Sequence, residues 1–159
     1  MNEAVATYFS GEKNGGLILA GVGAAMLLTA VVPFPARLEL RSLAITVGVW
    51  SLLELGIGIG LFLKTNAQVG ALQSQLATSK ETMTSTELPR MEKVQKNFVV
   101  LEIVWVAMII VGAIVAWRMK ENSAVCGVAL GILINASVLL AFDIIAERRG
   151  ATYLAALKG

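Results

Sequence analysis

Four long apolar segments constrain this chain more than any other feature. Residues 15–34 include no charged side chain, and residues 42–63, 98–117 and 123–146 each include a single acid. An α-helix rises 1.5 Å per residue, so about 20 residues cross the hydrocarbon core of a bilayer. All four segments reach that length. We therefore predict an all-α integral membrane protein, a single domain over residues 1–159 that forms a four-helix bundle.

The composition supports a lipid environment. Hydrophobic residues make up 57% of the chain and charged residues only 15%, whereas about a quarter of the residues of a soluble domain are charged. A soluble helical bundle is the alternative, but its helices would carry a polar face. Residues 16–32 show none. The net charge of +2 is too small to indicate a nucleic-acid partner.

Several classes of chemistry are excluded because the chain lacks the residues that they need. The chain has no histidine and one cysteine, Cys126, which excludes histidine triads, histidine metal sites and an intrachain disulfide. It also lacks the GxSxG, HExxH, P-loop and CxxC motifs. We expect no catalytic residues, no metal site and no cofactor, although a membrane enzyme that uses only carboxylates stays open. Residues 1–14 lack a basic signal-peptide start, so the first span is expected to be retained.

The segment 65–97 is the only sizeable connection between spans. Apolar residues recur every three to four positions in both of its halves, which predicts two helical arms. We predict an antiparallel helical hairpin that extends from spans two and three, with its tip near residues 80–84. Ser85 or Thr86 would cap the second arm, with Pro89 in its first turn. A disordered loop is the alternative. A projecting hairpin could dock a protein partner.

Basic residues predict the orientation. Nine Lys and Arg residues lie on the side of the termini and the hairpin, and four lie in the two short connections opposite. Because cytoplasmic segments carry the excess of basic residues, we expect both termini and the hairpin in the cytoplasm, with the chain in a bacterial inner membrane.

Glu54, Glu102 and Asp143 are the single acids of spans two, three and four. An ionised carboxylate in hydrocarbon is costly, so such residues face a bundle interior and often have a function. Counted from the nearest basic residue on the hairpin side, they lie about 15, 9 and 7 Å inside the membrane. All three fall in the same half of the bundle.

Two tryptophans share helix faces with these acids. Trp50 lies four residues before Glu54, and Trp105 lies three residues after Glu102. An indole N–H can donate to a carboxylate. Asn135 lies near the middle of span four. We predict an intramembrane polar cluster that opens toward the hairpin side and consists of Glu54, Glu102, Asp143, Asn135, Trp50 and Trp105.

Three interpretations of this cluster stay open. The acids could be neutral or hydrogen-bonded and lock the bundle. Inward-reaching Lys93, Lys96, Arg148 or Arg149 could act as their counter-ions. Finally, the acids could bind a cation or relay protons.

Small residues offer packing surfaces. Gly56 and Gly60 form a GxxxG pattern in span two, and Gly127 and Gly131 form another in span four. Such pairs let helix backbones approach closely, within one chain or between copies of a homo-oligomer. The function most consistent with these features is a structural, oligomeric or accessory membrane module with a docking hairpin. The alternative is a proton- or cation-conducting oligomeric channel or transporter that uses the intramembrane carboxylates.

Overall fold

Four helices make up nearly all of the structure. A computed structural model describes residues 2–31 and 40–159. Helix α1 is Asn2–Val31, α2 is Arg41–Thr78, α3 is Lys80–Arg118 and α4 is Ser123–Lys158. Each is long and apolar enough to cross a membrane. The predicted all-α fold with four membrane-length helices is confirmed. The end of span one beyond Val31, with Pro33, Pro35 and Arg37, lies outside the described residues.

The helices form two pairs. Helix α1 packs mainly against α2, and α3 packs mainly against α4, so each pair is an antiparallel hairpin. Contacts between α2 and α4 join the pairs, whereas α3 meets α2 at few positions. Among the described residues, α1 and α3 make no close backbone approach. A gap therefore lies between α3 and the first pair.

Glycines allow α1 and α2 to approach each other closely. A Cβ atom on Gly58 would lie 2.5 Å from the carbonyl oxygen of Gly16 and from the backbone nitrogen of Ala20. A Cβ atom on Gly23 would lie 2.8 Å from the carbonyl oxygen of Ser51. Any larger residue would push the two backbones apart, so the absence of side chains is what permits this packing.

The two predicted GxxxG patterns have different surroundings. Gly127 and Gly131 are buried against α2, next to Ser42 and Thr46. Gly56 and Gly60 are exposed, and a Cβ atom on either would meet no atom within 4 Å. Within the chain, the close approach of α2 to α1 is therefore at Gly58 rather than at Gly56 and Gly60. Successive residues turn by 100°, so a residue two positions away faces nearly the opposite side.

The bundle continues beyond the apolar segments. Tyr8 and Phe9 of α1 pack with Tyr153 and Leu157 of α4 and with Met91 of α3 in a buried core. The Tyr8 and Tyr153 rings stack with centroids 4.6 Å apart, and Phe9 meets Tyr153 edge to face. The base of the 65–97 hairpin consequently packs against both ends of the chain instead of projecting alone.

The hairpin turns earlier than the pattern predicts. The helical backbone is interrupted at Ser79, and α3 begins at Lys80, so Pro89 lies inside α3 rather than in its first turn. Glu87 and Arg90 form a two-pronged ion pair beside it, with N–O distances of 2.7 and 2.5 Å. At the opposite end, Asn122 caps α4 by accepting a hydrogen bond from the backbone nitrogen of Val125.

Candidate functional site

Glu54 is the most enclosed acid among the described residues. Its side chain on α2 is 0% exposed and lies next to Gly23 of α1, where a Cβ atom would be 3.1 Å from the Glu54 Cβ. Neither carboxyl oxygen has a hydrogen-bond partner among the described residues. The neighbouring Ser51 hydroxyl donates to the carbonyl oxygen of Val47 instead. Burying a carboxyl group without a hydrogen-bond partner costs free energy, so Glu54 is an unfavourable residue for this core.

Asn135 is a second fully buried polar residue, on α4. It is 0% exposed, and its Nδ2 donates to the carbonyl oxygen of Gly131 at 2.7 Å, while its Oδ1 has no partner. Gly131 contacts Thr46 of α2. Asn135 lies one turn further along α4, and therefore at the level of the turn of α2 that precedes Glu54.

Asp143 is paired with Trp105. The indole N–H of Trp105 on α3 donates to Oδ2 of Asp143 on α4 at 2.7 Å. The same-face spacing predicts Glu102 as a partner of Trp105, but the indole N–H instead reaches across the helix contact. The Trp105 ring also meets Trp50 of α2 edge to face, with centroids 6.2 Å apart. One tryptophan thus links three helices.

The six residues of the predicted cluster therefore divide into groups. Glu54 and Asn135 lie in the α1–α2–α4 core, and Trp50, Trp105 and Asp143 lie in a chain of contacts from α2 through α3 to α4. Glu102 is half-buried and does not line the cavity described next.

A cavity of about 430 Å³ lies in the gap between the two helix pairs. Residues from all four helices line it, and most are apolar. Its charged wall consists of Glu12, Asp143 and Arg149. Sequence reasoning missed Glu12 because it precedes the first apolar run. The signal was available, since Val5, Phe9 and Glu12 recur at helical spacing upstream of that run.

Arg149 is the one inward-reaching basic residue among the four proposed counter-ions. It is half-buried, whereas Lys93, Lys96 and Arg148 are exposed. Its Nη1 donates to the carbonyl oxygen of Gly11 rather than to an acid. The guanidinium lies over Gly15, where a Cβ atom would be 2.9 Å from Nη2. Glycines in α1 thus make room for this side chain.

A larger cavity of about 690 Å³ lies on the other side of the bundle, between α3 and α4. Its lining is apolar apart from Ser42 and includes Val104, Met108 and Ile132. In a membrane such a surface suits lipid chains. Among the described residues there is no group of three or more His, Cys, Asp or Glu side chains that could hold a metal ion.

Comparison with known proteins identifies no relative. No family model matches the chain, and neither the characterised proteins nor the solved structures include a significant match. The functional conclusions below therefore depend on the geometry of this chain.

Proposed function

We propose that this protein is a small structural or accessory helix-bundle module of a bacterial inner membrane. It would act by holding partner proteins or further copies of itself, with its termini and hairpin in the cytoplasm. One observation carries the proposal: among the described residues, the intramembrane polar groups lie at separate positions and do not form a continuous path.

The contacts of the individual groups support a structural role. Glu54 is fully buried beside Gly23 of α1, and Asp143 accepts a hydrogen bond from Trp105. The hydroxyls of Thr46 and Ser51 donate to carbonyl oxygens of their own helix. A conducting pathway needs polar groups that face a shared water-filled space. The described part of one chain offers no such series.

The extramembrane end is suited to docking because it is packed from four helices. The aromatic core of Tyr8, Phe9 and Tyr153 holds the hairpin base, and Lys158 forms an ion pair with Glu92 at 3.0 Å. A surface on rigid elements loses little conformational entropy when a partner binds. This supports a docking role for the whole four-helix end, with the 65–97 hairpin as its main part.

The outer face of α2 supports self-association. Gly56 and Gly60 are exposed there between Leu52 and Leu63, which are also exposed. A GxxxG pair that its own chain leaves uncovered is available to a helix of another copy. We test this by measuring the mass of the purified protein in detergent. Gly56→Leu combined with Gly60→Leu should shift the mass to that of a monomer. Gly21→Leu, on an equally open face of α1, should leave it unchanged.

The conducting alternative has one observation in its favour, the two unpartnered oxygens of Glu54. Liposomes with the reconstituted protein distinguish the two functions. We expect no proton or cation flux above that of empty liposomes, with or without the Glu54→Gln change. A cation flux that Glu54→Gln abolishes would refute the accessory role and establish an oligomeric pore.

A further inference from the structure

The cavity between the helix pairs has the dimensions and lining of a small-molecule site. Ligand sites commonly measure 300–1,000 Å³ and combine apolar walls with a few polar groups, and this cavity measures about 430 Å³. Its charged groups are Glu12, Asp143 and Arg149. Asp143 lies six residues, about 9 Å, from Arg149 along α4, and Leu19 and Leu139 line the same cavity. The cavity thus combines charged and apolar walls.

Carboxyl groups outnumber basic groups in the wall of this cavity. The Arg149 guanidinium donates to the carbonyl oxygen of Gly11. Asp143 commits Oδ2 to Trp105. Oε2 of Glu12 is buried without a partner. Two carboxyl groups therefore face a single guanidinium, which keeps its charge and its other N–H donors, and this excess of acid favours a cation as the ligand head.

Most of the other groups that interact with Glu12 lie outside the cavity. Arg90, Lys64 and Arg149 act on Glu12 electrostatically and Thr65 hydrogen-bonds its carboxyl group, but of these four residues only Arg149 lines the cavity. Arg90 forms its ion pair with Glu87. The unpartnered oxygen of Glu12 is therefore not accounted for by these neighbours.

Aromatic rings complete the lining. Tyr8, Phe98, Trp105 and Phe142 contribute to the cavity wall. The negative face of an aromatic ring attracts a cation, an effect that grows when the cation is desolvated. An ammonium head would thus find carboxylates and rings in one place.

We propose that this cavity binds an amphipathic organic cation. The cationic head contacts Glu12 and Asp143, and the apolar body extends toward Leu19 and Leu139. Binding is a property of the single chain, so it goes beyond the docking role above and does not require it.

Three probes with one chain length and different heads test the assignment: decylammonium, 1-decanol and decanoate. Their affinities are measured by titration calorimetry for the full chain in nanodiscs of zwitterionic lipid, after subtraction of the signal of empty nanodiscs. We expect the cation to bind at least about tenfold more tightly than the alcohol, the effect of one charge-assisted contact, and decanoate to bind weakest.

Variants of single acidic residues test where the cationic head binds. Glu12→Gln and Asp143→Asn should each weaken the cation by about tenfold and leave decanol unchanged. Glu102→Gln is the control, because Glu102 is an acid of the same membrane half that does not line the cavity. It should change nothing. Ala146→Phe, which fills the cavity, should abolish binding of all three probes.

Several results would overturn the proposal. Equal affinities for the three probes would show partition without a site, and a preference for decanoate would place an anionic head at Arg149. An equal loss in Glu102→Gln, or full binding by Ala146→Phe, would place the ligand elsewhere. The comparison of heads uses the unmodified chain, so it decides the question even if a variant fails to fold.

Discussion

The indole N–H of Trp105 on α3 donates a 2.7 Å hydrogen bond to Oδ2 of Asp143 on α4. Helix α3 contacts the first helix pair at few positions, so its place in the bundle depends on α4. A hydrogen bond to a charged or buried acceptor is worth more than an exposed one. This pair therefore contributes strongly to the position of α3.

Removing the donor tests that role. Trp105→Phe keeps an aromatic ring but leaves the Asp143 oxygen unsatisfied, so it should lower the free energy of unfolding in mixed micelles by about 1–3 kcal/mol. Trp117→Phe is the control, because Trp117 is 70% exposed at the end of α3. Equal losses in the two variants would contradict a structural role for the hydrogen bond.

Glu54 should be replaceable by an apolar side chain of similar size. Its oxygens have no partner in the described structure, so Glu54→Met removes a desolvation cost and breaks no hydrogen bond. We expect the free energy of unfolding to stay within about 1 kcal/mol of the wild type or to rise. Glu54→Ala should instead lower it by about 2–5 kcal/mol, because it leaves a cavity. A Met variant as unstable as the Ala variant would show that the carboxyl group itself is required.

The α1–α2 contact should reject even one methyl group. Gly58→Ala places a Cβ atom 2.5 Å from backbone atoms of Gly16 and Ala20, and should cost about 1–3 kcal/mol. Gly60→Ala, two residues along on the open face, should be neutral or slightly stabilising, since Ala favours helix over Gly. Both are measured by unfolding in mixed micelles. A neutral Gly58→Ala would mean that the helices do not approach at this residue.

The extramembrane core should unfold locally when an aromatic ring is lost. Phe9 is 2% exposed, so Phe9→Ala should cost about 3–5 kcal/mol. Hydrogen exchange should then speed up in residues 2–12, 84–95 and 150–158, and stay slow around Glu54 in the membrane core. Ser10→Ala is the control, because Ser10 is exposed. Unchanged exchange in Phe9→Ala would show that the hairpin base does not depend on this core.

Helix number and placement follow from local chemistry. Runs of at least 20 apolar residues have few stable forms in lipid besides helices, because every backbone group must be hydrogen-bonded internally. The extended arms of α2 and α3 were likewise readable from the recurrence of apolar residues between 65 and 97. The predicted start of the second arm was wrong because of Pro89. A proline is favoured in the first turn of a helix, but this proline lies within α3.

The side-chain contacts between helices could not be predicted from the sequence in the same way. Trp105 lies three residues from Glu102 along one helix, and spacing alone pairs them. The structure pairs Trp105 with Asp143, 38 positions away, because the α3–α4 contact brings that acid within hydrogen-bond distance. Gly56 and Gly60 match the GxxxG pattern, but the rotation of α2 about its axis directs Gly58 to α1.

The sequence by itself thus determined the solvent of this protein, its helical class and its four spans, because these depend on the free energy of placing each segment in lipid. Only the tertiary structure decided which side chains meet: Trp105 with Asp143, Arg149 with Gly11, and Glu12 with Asp143 and Arg149 around one cavity. These contacts depend on the rotation and register of whole helices. Both are set by contacts summed over many distant residues, which no local pattern encodes.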